Sequence, residues 1–93
     1  MTDSKNENPK ILVVDDEEHI RRILKYQLEK NGYRAFCAED GRKGLAMARD
    51  VSPDLIILDL MMPMMDGFEV CTRLKEDFQT SHIPIIMLTA RSE

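Results

Sequence analysis

Short apolar runs alternate with segments of helical period along most of the chain. The runs are rich in branched residues, and the segments between them repeat their apolar positions every three or four residues. Continuous apolar runs of this length suit strands that are buried on both faces of a parallel sheet. The predicted strands cover residues 10–14, 33–38, 54–59 and 84–88.

The amphipathic segments between these runs predict three helices. The first begins at Glu17 and ends at Asn31-Gly32, a typical helix stop. The second follows a capping residue, Asp40, and is broken at Ser52-Pro53. The third runs from about residue 67 to about residue 77, and its inward-facing residues are predicted to be Phe68, Cys71, Leu74 and Phe78.

This order of strands and helices, with short connections, predicts an α/β domain built on a doubly wound parallel sheet. Right-handed crossovers place helices on both faces of such a sheet. Residues 1–9 are polar and predict a disordered tail, which leaves residues 10–93 as the folded domain. A chain of 93 residues has the length for one domain with a buried core.

Composition excludes several classes of protein. The net charge of -4 and the absence of a Lys/Arg cluster argue against direct nucleic-acid binding by this segment. Cys37 and Cys71 lie far apart without metal-ligand spacing, so both are predicted to be reduced core residues. No apolar segment has the length of a signal peptide or a membrane span, which predicts a cytoplasmic protein with no membrane partner.

Acidic residues mark the ends of two predicted strands. Asp15 and Asp16 follow the first strand, Asp59 ends the third, and Thr89 follows the fourth. Ligands of open parallel sheets bind beyond the carboxyl ends of the strands. If the first and third strands are neighbours, three carboxylates converge there, and a hard cation such as Mg²⁺ would relieve their repulsion. An Asp in such a place can accept a phosphoryl group.

The spacing alone leaves ordinary structural roles open for the residues at the strand ends. Asp15-Asp16 could simply cap the following helix, and Thr89 could be an ordinary strand-end hydroxyl. His19 and His82 are predicted to be surface residues, not metal ligands or phosphodonors. Four methionines, Met61, Met62, Met64 and Met65, are predicted to pack the loop and core, because the neighbouring ligands are hard oxygens.

Four motifs in combination resemble the receiver domain of bacterial two-component response regulators, in family order and at family spacing from residue 10 onward. The motifs are Ile11-Leu12-Val13-Val14-Asp15-Asp16-Glu17, Pro53-Asp54-Leu55-Ile56-Ile57-Leu58-Asp59, Met62-Pro63-Met64-Met65-Asp66-Gly67 and Pro84-Ile85-Ile86-Met87-Leu88-Thr89-Ala90. The resemblance implies a flavodoxin-like fold with strand order 2-1-3-4. It also implies Mg²⁺-dependent phosphorylation by a histidine kinase, which shifts the conformation of a binding surface.

The resemblance assigns roles around the predicted Mg²⁺ site. It implies that Asp59 is the phosphoacceptor and a metal ligand. Asp16 should coordinate Mg²⁺ directly and Asp15 largely through water, while the backbone carbonyl of Met61 matches a further ligand position.

The resemblance also implies roles outside the metal site. Thr89 matches the switch hydroxyl that moves toward the phosphoryl group, and Ala90 the small residue beside it. Pro63 and Gly67 match positions that shape the loop, and Gly67 is expected to adopt a backbone conformation that costs other residues more.

The chain stops at Glu93, where the resemblance implies a further helix, a fifth strand and a last helix. The expected pocket is therefore without the family's lysine, since Lys43 and Lys75 lie on the second and third predicted helices. A bare apolar edge at the fourth strand predicts self-association. Whether the sequence is a fragment, or has its remainder supplied by a partner chain, stays open.

Three functions are weighed. The leading one is a phospho-accepting receiver, not an enzyme, whose partner is a sensor histidine kinase or phosphotransfer protein and whose output domain or target is unknown. The alternative is a non-phosphorylatable interaction or assembly module, or an inactive fragment of such a receiver. A phosphatase is disfavoured because Met61 stands where such enzymes typically have a second Asp.

Overall fold

A computed structural model describes residues 8–88. Its elements are β1 (Lys10–Val14), α1 (Glu18–Lys30), β2 (Arg34–Ala38), α2 (Gly41–Val51), β3 (Leu55–Asp59), α3 (Gly67–Glu76) and β4 (Ile85–Leu88). The predicted alternation of strands and helices is confirmed. Thr89 and Ala90, which the sequence singled out, lie outside the described residues. Within residues 8–88, no helix has the length and apolar character needed to cross a membrane.

All four strands form one parallel sheet in the order β2-β1-β3-β4. This is the predicted doubly wound, flavodoxin-like order. β1 and β3 are central neighbours, and Val14 of β1 pairs with Leu58 of β3. The residues that follow these two positions therefore emerge side by side at the carboxyl edge of the sheet.

The main core lies between the sheet and the two helices α2 and α3. Successive residues of a strand point to opposite faces, so alternate positions of β1 and β3 face these helices. The fully buried side chains of this core include Leu12, Val14, Ile56, Leu58, Val70 and Leu74. α2 approaches β1 closely at Gly44, where an added Cβ would lie 2.9 Å from Cγ2 of Val14.

The predicted inward face of α3 is wrong in part. Val70 and Leu74, one helical turn apart, are the buried residues of this helix, whereas Phe68 is 62% exposed. Buried Gly67 packs closely against the end of β3 and lies on the same side of the helix as Val70 and Leu74. Phe78 lies beyond the helix and is 92% exposed. Leu74 is thus confirmed as inward-facing, and Cys71 packs partly buried against the core.

Both cysteines are partly buried thiols, so their prediction as core residues is confirmed only in part, by the packing of Cys71 against the core. Cys37 lies on β2, with its Sγ 3.9 Å from the backbone oxygen of Arg21 in α1. Burial raises the pKa of the Cys37 thiol, although the nearby cations Lys25 and Arg21 oppose that shift. A raised pKa reduces the thiolate fraction and makes the thiol less reactive.

The second face of the sheet is covered unevenly. α1 packs mainly over β1 and β2, and none of its residues is fully buried. Ile57 of β3 and Ile86 of β4 are register partners on this face, and Ile86 is 51% exposed. The face over β3 and β4 is therefore apolar and accessible among the described residues.

We expect the isolated chain to self-associate through this face and the β4 edge, because exposed apolar surface beside an edge strand favours pairing with a second copy. Light scattering after size-exclusion chromatography should give a mass that rises with protein concentration. Ile86→Lys should lower that mass, and Met64→Lys, which replaces a side chain that is 97% exposed elsewhere, should not. A monomeric native chain at every concentration would contradict the expectation.

A cross-element ion pair joins α2 to the turn after α3. Nε of Arg49 donates to Oδ2 of Asp77 at 2.7 Å, and the backbone N–H of Gln79 donates to Oδ1 at 2.9 Å. The Arg49 hydrogen bond, followed by that from Gln79, lowers the pKa of Asp77 below its ordinary value. The folded state therefore holds this proton less tightly than the unfolded state does.

Because the pKa of Asp77 is lower in the folded protein than in the unfolded chain, Asp77 stabilises the fold above its unfolded pKa of about 3.9. This stabilisation is lost as the pH falls through the lower pKa of the folded state. Arg49→Gln should therefore lower the midpoint of thermal unfolding near neutral pH. The additional fall of that midpoint on acidification should be smaller in this variant than in the native chain. Thermal unfolding followed by circular dichroism between about pH 7 and about pH 2.5 measures both. Equal pH dependence in the two proteins would show that the pair contributes nothing.

Candidate functional site

Three aspartates converge at the carboxyl edge of β1 and β3. Asp15 follows β1 directly, Asp16 comes next, and Asp59 is the last residue of β3. One carboxylate oxygen from each residue lies within 4.8 Å of those of the other two. Asp15 and Asp59 are each only 1% exposed, whereas Asp16 is open to solvent. The sequence analysis expected this convergence if the first and third strands were neighbours, and β1 and β3 are paired.

Backbone donors orient the two buried carboxylates. The N–H of Glu17 donates to Oδ1 of Asp15 at 2.9 Å. In the same way, the N–H of Met61 donates to Oδ1 of Asp59 at 3.0 Å. Each carboxylate is thus held by the backbone two residues further along the chain. Such hydrogen bonds fix the direction of a side chain before any ligand arrives.

The alternative that Asp15-Asp16 merely caps the first helix receives no support. The capping position of α1 is occupied by Glu17, whose side chain makes no capping hydrogen bond. A capping side chain would accept from the N–H of the second or third helical residue. The Asp15 carboxylate accepts a hydrogen bond from the N–H of Glu17, which precedes the helix. Asp15 is therefore turned toward the other acids.

The electrostatics of this cluster favour a cation. At an effective dielectric constant of about 20, two unit charges about 4 Å apart repel each other by about 4 kcal/mol. A divalent cation bound among the three carboxylates converts this repulsion into attraction. Oxygen-only donor sets of this kind suit Mg²⁺ and Ca²⁺ and do not suit soft metals. The residues present therefore fit a hard divalent cation.

The loop from β3 to α3 brings Met61 beside the cluster and is shaped by two unusual positions. Met64 has a left-handed backbone, with φ of 69°. Gly67 does not have a positive φ, so the expectation that it supplies unusual backbone freedom is wrong. Its importance is space: an added Cβ would lie 2.5 Å from the backbone oxygen of Asp59 and 2.7 Å from Cα of Leu60. Only a glycine lets α3 begin this close to the end of β3.

The histidines occupy the places predicted for them, whereas only two of the four loop methionines pack against the core as predicted. His19 has a side chain that is 70% exposed, and His82 is exposed in the turn before β4. Neither joins the potential metal-binding group found among residues 8–88, which consists of the three aspartates. Met62 is 7% exposed in the core and Met65 packs against it, whereas the other two loop methionines, Met61 and Met64, are exposed.

Lysine contacts agree with the sequence analysis. Nζ of Lys43 pairs with Glu39 at 2.8 Å, and Nζ of Lys75 donates to the backbone oxygens of Ser81 and Ile83. Every lysine in the described part of the chain has a contact away from the acidic cluster; they are Lys10, Lys25, Lys30, Lys43 and Lys75.

Sequence reasoning missed one residue at the edge of the site. Nη1 of Arg21, in α1, donates to the backbone oxygen of Asp15 at 2.9 Å. The sequence analysis gave Arg21 no role beyond its place in the first predicted helix. The contact spans six residues and involves a main-chain oxygen, so helical periodicity carries no signal for it.

Comparisons with known proteins agree on one family. The sequence matches the response regulator receiver domain over residues 11–93. The alkaline phosphatase synthesis transcriptional regulatory protein PhoP of Bacillus subtilis (strain 168) is 51% identical over 86 residues, which are 92% of this chain and 35% of that protein. The DNA-binding dual master transcriptional regulator RpaA of Synechocystis is 50% identical over 82 residues, covering 88% of this chain and 34% of that protein.

Solved structures give the same answer for the fold. The chemotaxis protein CheY4 of Vibrio cholerae superposes with a TM-score of 0.86 at 38% identity, over 92% of this chain and 72% of that one. The N-terminal domain of a response regulator receiver protein from Methanoculleus marisnigri JR1 gives 0.87 at 42% identity, over 91% and 69% of the two chains.

The extent of the match limits what carries over from the relatives. The chain spans about a third of the length of the curated relatives named above. The part they share is the segment that contains the parallel sheet and its acidic edge. By fold, by sequence and by the aspartates at the end of β1 and β3, the chain belongs to the family of response regulator receiver domains in two-component signalling.

Proposed function

We propose that Asp59 accepts a phosphoryl group in a reaction that depends on Mg²⁺ bound beside it. The observation that carries this proposal is the placement of the buried Asp59 carboxylate within 4.8 Å of Asp15 and Asp16. Phosphorylation is typical of the family, whose receiver domains generally act as signalling modules and not as enzymes. Their phosphoryl groups come from histidine kinases or phosphotransfer proteins, and we extend that class of partner to this chain.

The cation would be held by oxygen atoms from both strand ends. We assign direct ligation to Asp16 and Asp59, ligation largely through water to Asp15, and a further ligand to the backbone carbonyl of Met61. The exposure of Asp16 supports its assignment, since it leaves that carboxylate accessible to an incoming ion. Bound Mg²⁺ supplies positive charge that offsets the negative charge gathering on the transferred phosphoryl oxygens.

The chain's own contribution is a positioned nucleophile. The N–H of Met61 holds one oxygen of Asp59 and thereby fixes the plane of the carboxylate. A carboxylate oxygen of Asp59 forms the new O–P bond while the P–N bond of a phosphohistidine donor breaks. The electron pair of that bond stays on the departing imidazole, which takes up a proton from solvent. The product is an acyl phosphate on Asp59.

Thr89 and the segment beyond residue 88 belong to the signalling step. We propose that the Thr89 hydroxyl binds the phosphoryl group and shifts the population of an active conformation, which then presents a different binding surface. Residues 10–93 would act as the receiver unit, preceded by a tail over residues 1–9. Response regulators are typically cytoplasmic, and we extend that location to this chain. Its output domain or target is not specified by the receiver.

One observation favours the second candidate, a module that binds partners without being phosphorylated. Each lysine of residues 8–88 has a contact away from the acidic cluster, which does not favour a lysine of this segment as the cation for a bound phosphoryl group. A site without that cation would stabilise the transferred group less well.

A direct phosphorylation assay separates the two candidates. The chain is incubated with acetyl phosphate in the presence and absence of Mg²⁺, and its intact mass is measured. The proposal requires a gain of one phosphoryl group that needs Mg²⁺ and is removed by hydroxylamine, which cleaves acyl phosphates. An unchanged mass at saturating Mg²⁺ would favour the interaction module.

A further inference from the structure

The turn between β1 and α1 carries two of the three acids and is tied down at several points. The N–H of Asp15 donates to the backbone oxygen of Ala38 at 3.1 Å, which anchors the turn to the end of β2. Oδ1 of Asp15 accepts from the N–H of Glu17, and the backbone oxygen of Glu17 accepts from the N–H of Arg21 at 3.1 Å. These bonds fix both ends of the turn.

One side chain, that of Arg21, also holds this turn. Nη1 of Arg21 donates to the backbone oxygen of Asp15 at 2.9 Å, and Arg21 is half-buried where it does so. This oxygen belongs to the peptide plane that joins Asp15 to Asp16. A donor on this oxygen limits rotation of the plane, and the rotation of the plane sets where the Cα–Cβ bond of Asp16 points.

We propose that Arg21 is a positioning residue for metal binding: by holding the peptide plane between Asp15 and Asp16, it aims the exposed Asp16 carboxylate at the cation. The inference rests on the proposed function, in which these carboxylates bind Mg²⁺. Arg21 itself touches neither the cation nor the phosphoryl group. Groups that orient metal ligands without touching the metal commonly change affinity by 10- to 100-fold when removed.

Charge and positioning predict opposite signs for the loss of Arg21. Its guanidinium is positive and lies beside the cluster, so removing the charge would by Coulomb's law strengthen the binding of any cation. Loss of a positioning contact would instead weaken binding. The two cations also differ: Mg²⁺ demands a near-ideal octahedron, whereas Ca²⁺ accepts irregular geometry and variable ligand number. A positioning role therefore predicts a larger loss for Mg²⁺ than for Ca²⁺.

The experiment measures the dissociation constants of Mg²⁺ and Ca²⁺ by calorimetric titration of the metal-free chain. Arg21→Met removes the charge and the hydrogen bond but keeps an unbranched apolar stem, and Arg21→Lys keeps the charge without the guanidinium fork. Arg22→Met is the matched control, because Arg22 is its exposed neighbour and pairs only loosely with Glu18 at 3.8 Å. Thermal unfolding in EDTA records the stability of each variant.

We expect Arg21→Met to weaken Mg²⁺ binding about 10-fold and Ca²⁺ binding clearly less, with Arg21→Lys intermediate and Arg22→Met unchanged. Tighter binding of both ions in Arg21→Met would overturn the inference in favour of simple charge. A lower unfolding midpoint with unchanged affinities and an unchanged Mg²⁺/Ca²⁺ ratio would overturn it in favour of a purely structural role.

Two further outcomes are also decisive. If Arg21→Met does not fold, Arg21→Lys carries the test, since an unaltered Mg²⁺/Ca²⁺ ratio in that folded variant would overturn the inference. If the native chain binds neither ion, the proposed function fails together with this inference. If the native chain binds the ions and the Arg21 variants bind them equally well, only the inference about Arg21 fails and the proposed function stands.

Discussion

Replacing Asp59 by Asn is expected to abolish the incorporation of a phosphoryl group from acetyl phosphate. The amide has nearly the same shape as the carboxylate and can still accept the hydrogen bond that the N–H of Met61 donates. It has no negative charge, so it is a poor nucleophile and a weak ligand for Mg²⁺. The loss should therefore be complete within the detection limit of intact-mass measurement.

Two further variants make this result specific. Asp16→Asn should retain the nucleophile but need a higher Mg²⁺ concentration for the same rate, because the cluster loses one of its three negative charges. Asp50→Asn, which alters an exposed residue near the end of α2, should behave as the native chain does. A phosphoryl group still gained by Asp59→Asn would place the acceptor on another residue.

The same substitution should stabilise the metal-free protein. Asp59 is buried within 4.8 Å of two other acids, so removing its charge relieves repulsion in the folded state. We expect a gain of about 1 kcal/mol or more in the free energy of unfolding in EDTA. Added Mg²⁺ should reduce the difference in the free energy of unfolding between the two proteins, since the ion binds the native cluster better than the altered one. A loss of stability in EDTA would mean that the carboxylate has stabilising partners that outweigh the repulsion.

Sequence alone sufficed for the alternation of strands and helices, because most strands lie in short apolar runs and the segments between them have a helical period. The convergence of Asp15, Asp16 and Asp59 followed from one rule about the carboxyl ends of parallel strands, on the condition that the first and third strands are neighbours, and the family resemblance supplied that strand order. Both arguments use features that repeat along the chain or lie at the ends of elements. Such features can be read from residue type and position without knowledge of distances.

The errors have a different physical origin. The inward face of α3 was predicted wrongly, and the close contact of Gly67 with the backbone of β3, on the same side as Val70 and Leu74, has no signal in residue type. The bond from Arg21 to the backbone oxygen of Asp15 was missed because main-chain acceptors have no residue type to recognise. Both depend on distances between elements that are separate in sequence. The acidic side chains of the candidate site were predictable here, and the contacts to backbone atoms around them were not.

The close approach at Gly67 predicts the largest structural effect of a single added methyl group. Gly67→Ala would place Cβ 2.5 Å from the backbone oxygen of Asp59 and 2.7 Å from Cα of Leu60. Backbone atoms cannot move aside as the end of a long side chain can, so α3 or the end of β3 must shift. Alanine has a better helix propensity than glycine by about 1 kcal/mol, which offsets only part of an overpacking cost of about 3 kcal/mol.

We therefore expect Gly67→Ala to lower the free energy of unfolding by about 2 kcal/mol in urea titrations followed by circular dichroism. Gly44→Ala is the graded comparison, since its added Cβ would meet side-chain atoms of Val14 instead of backbone, and should cost less. Glu76→Ala, at an exposed position of the same helix, should change stability by about 0.5 kcal/mol or less. Equal stability of Gly67→Ala and the native chain would refute the steric argument.

The shift should also reach the metal site. The displaced atoms belong to Asp59 and Leu60, and the next residue, Met61, both orients the Asp59 carboxylate and offers the proposed carbonyl ligand. In the folded fraction of Gly67→Ala, we expect Mg²⁺ affinity to fall about 10-fold, with Gly44→Ala close to native. Calorimetric titration at a temperature where both variants are folded makes the comparison. Loss of stability without loss of affinity would show that the loop absorbs the strain before it reaches Asp59.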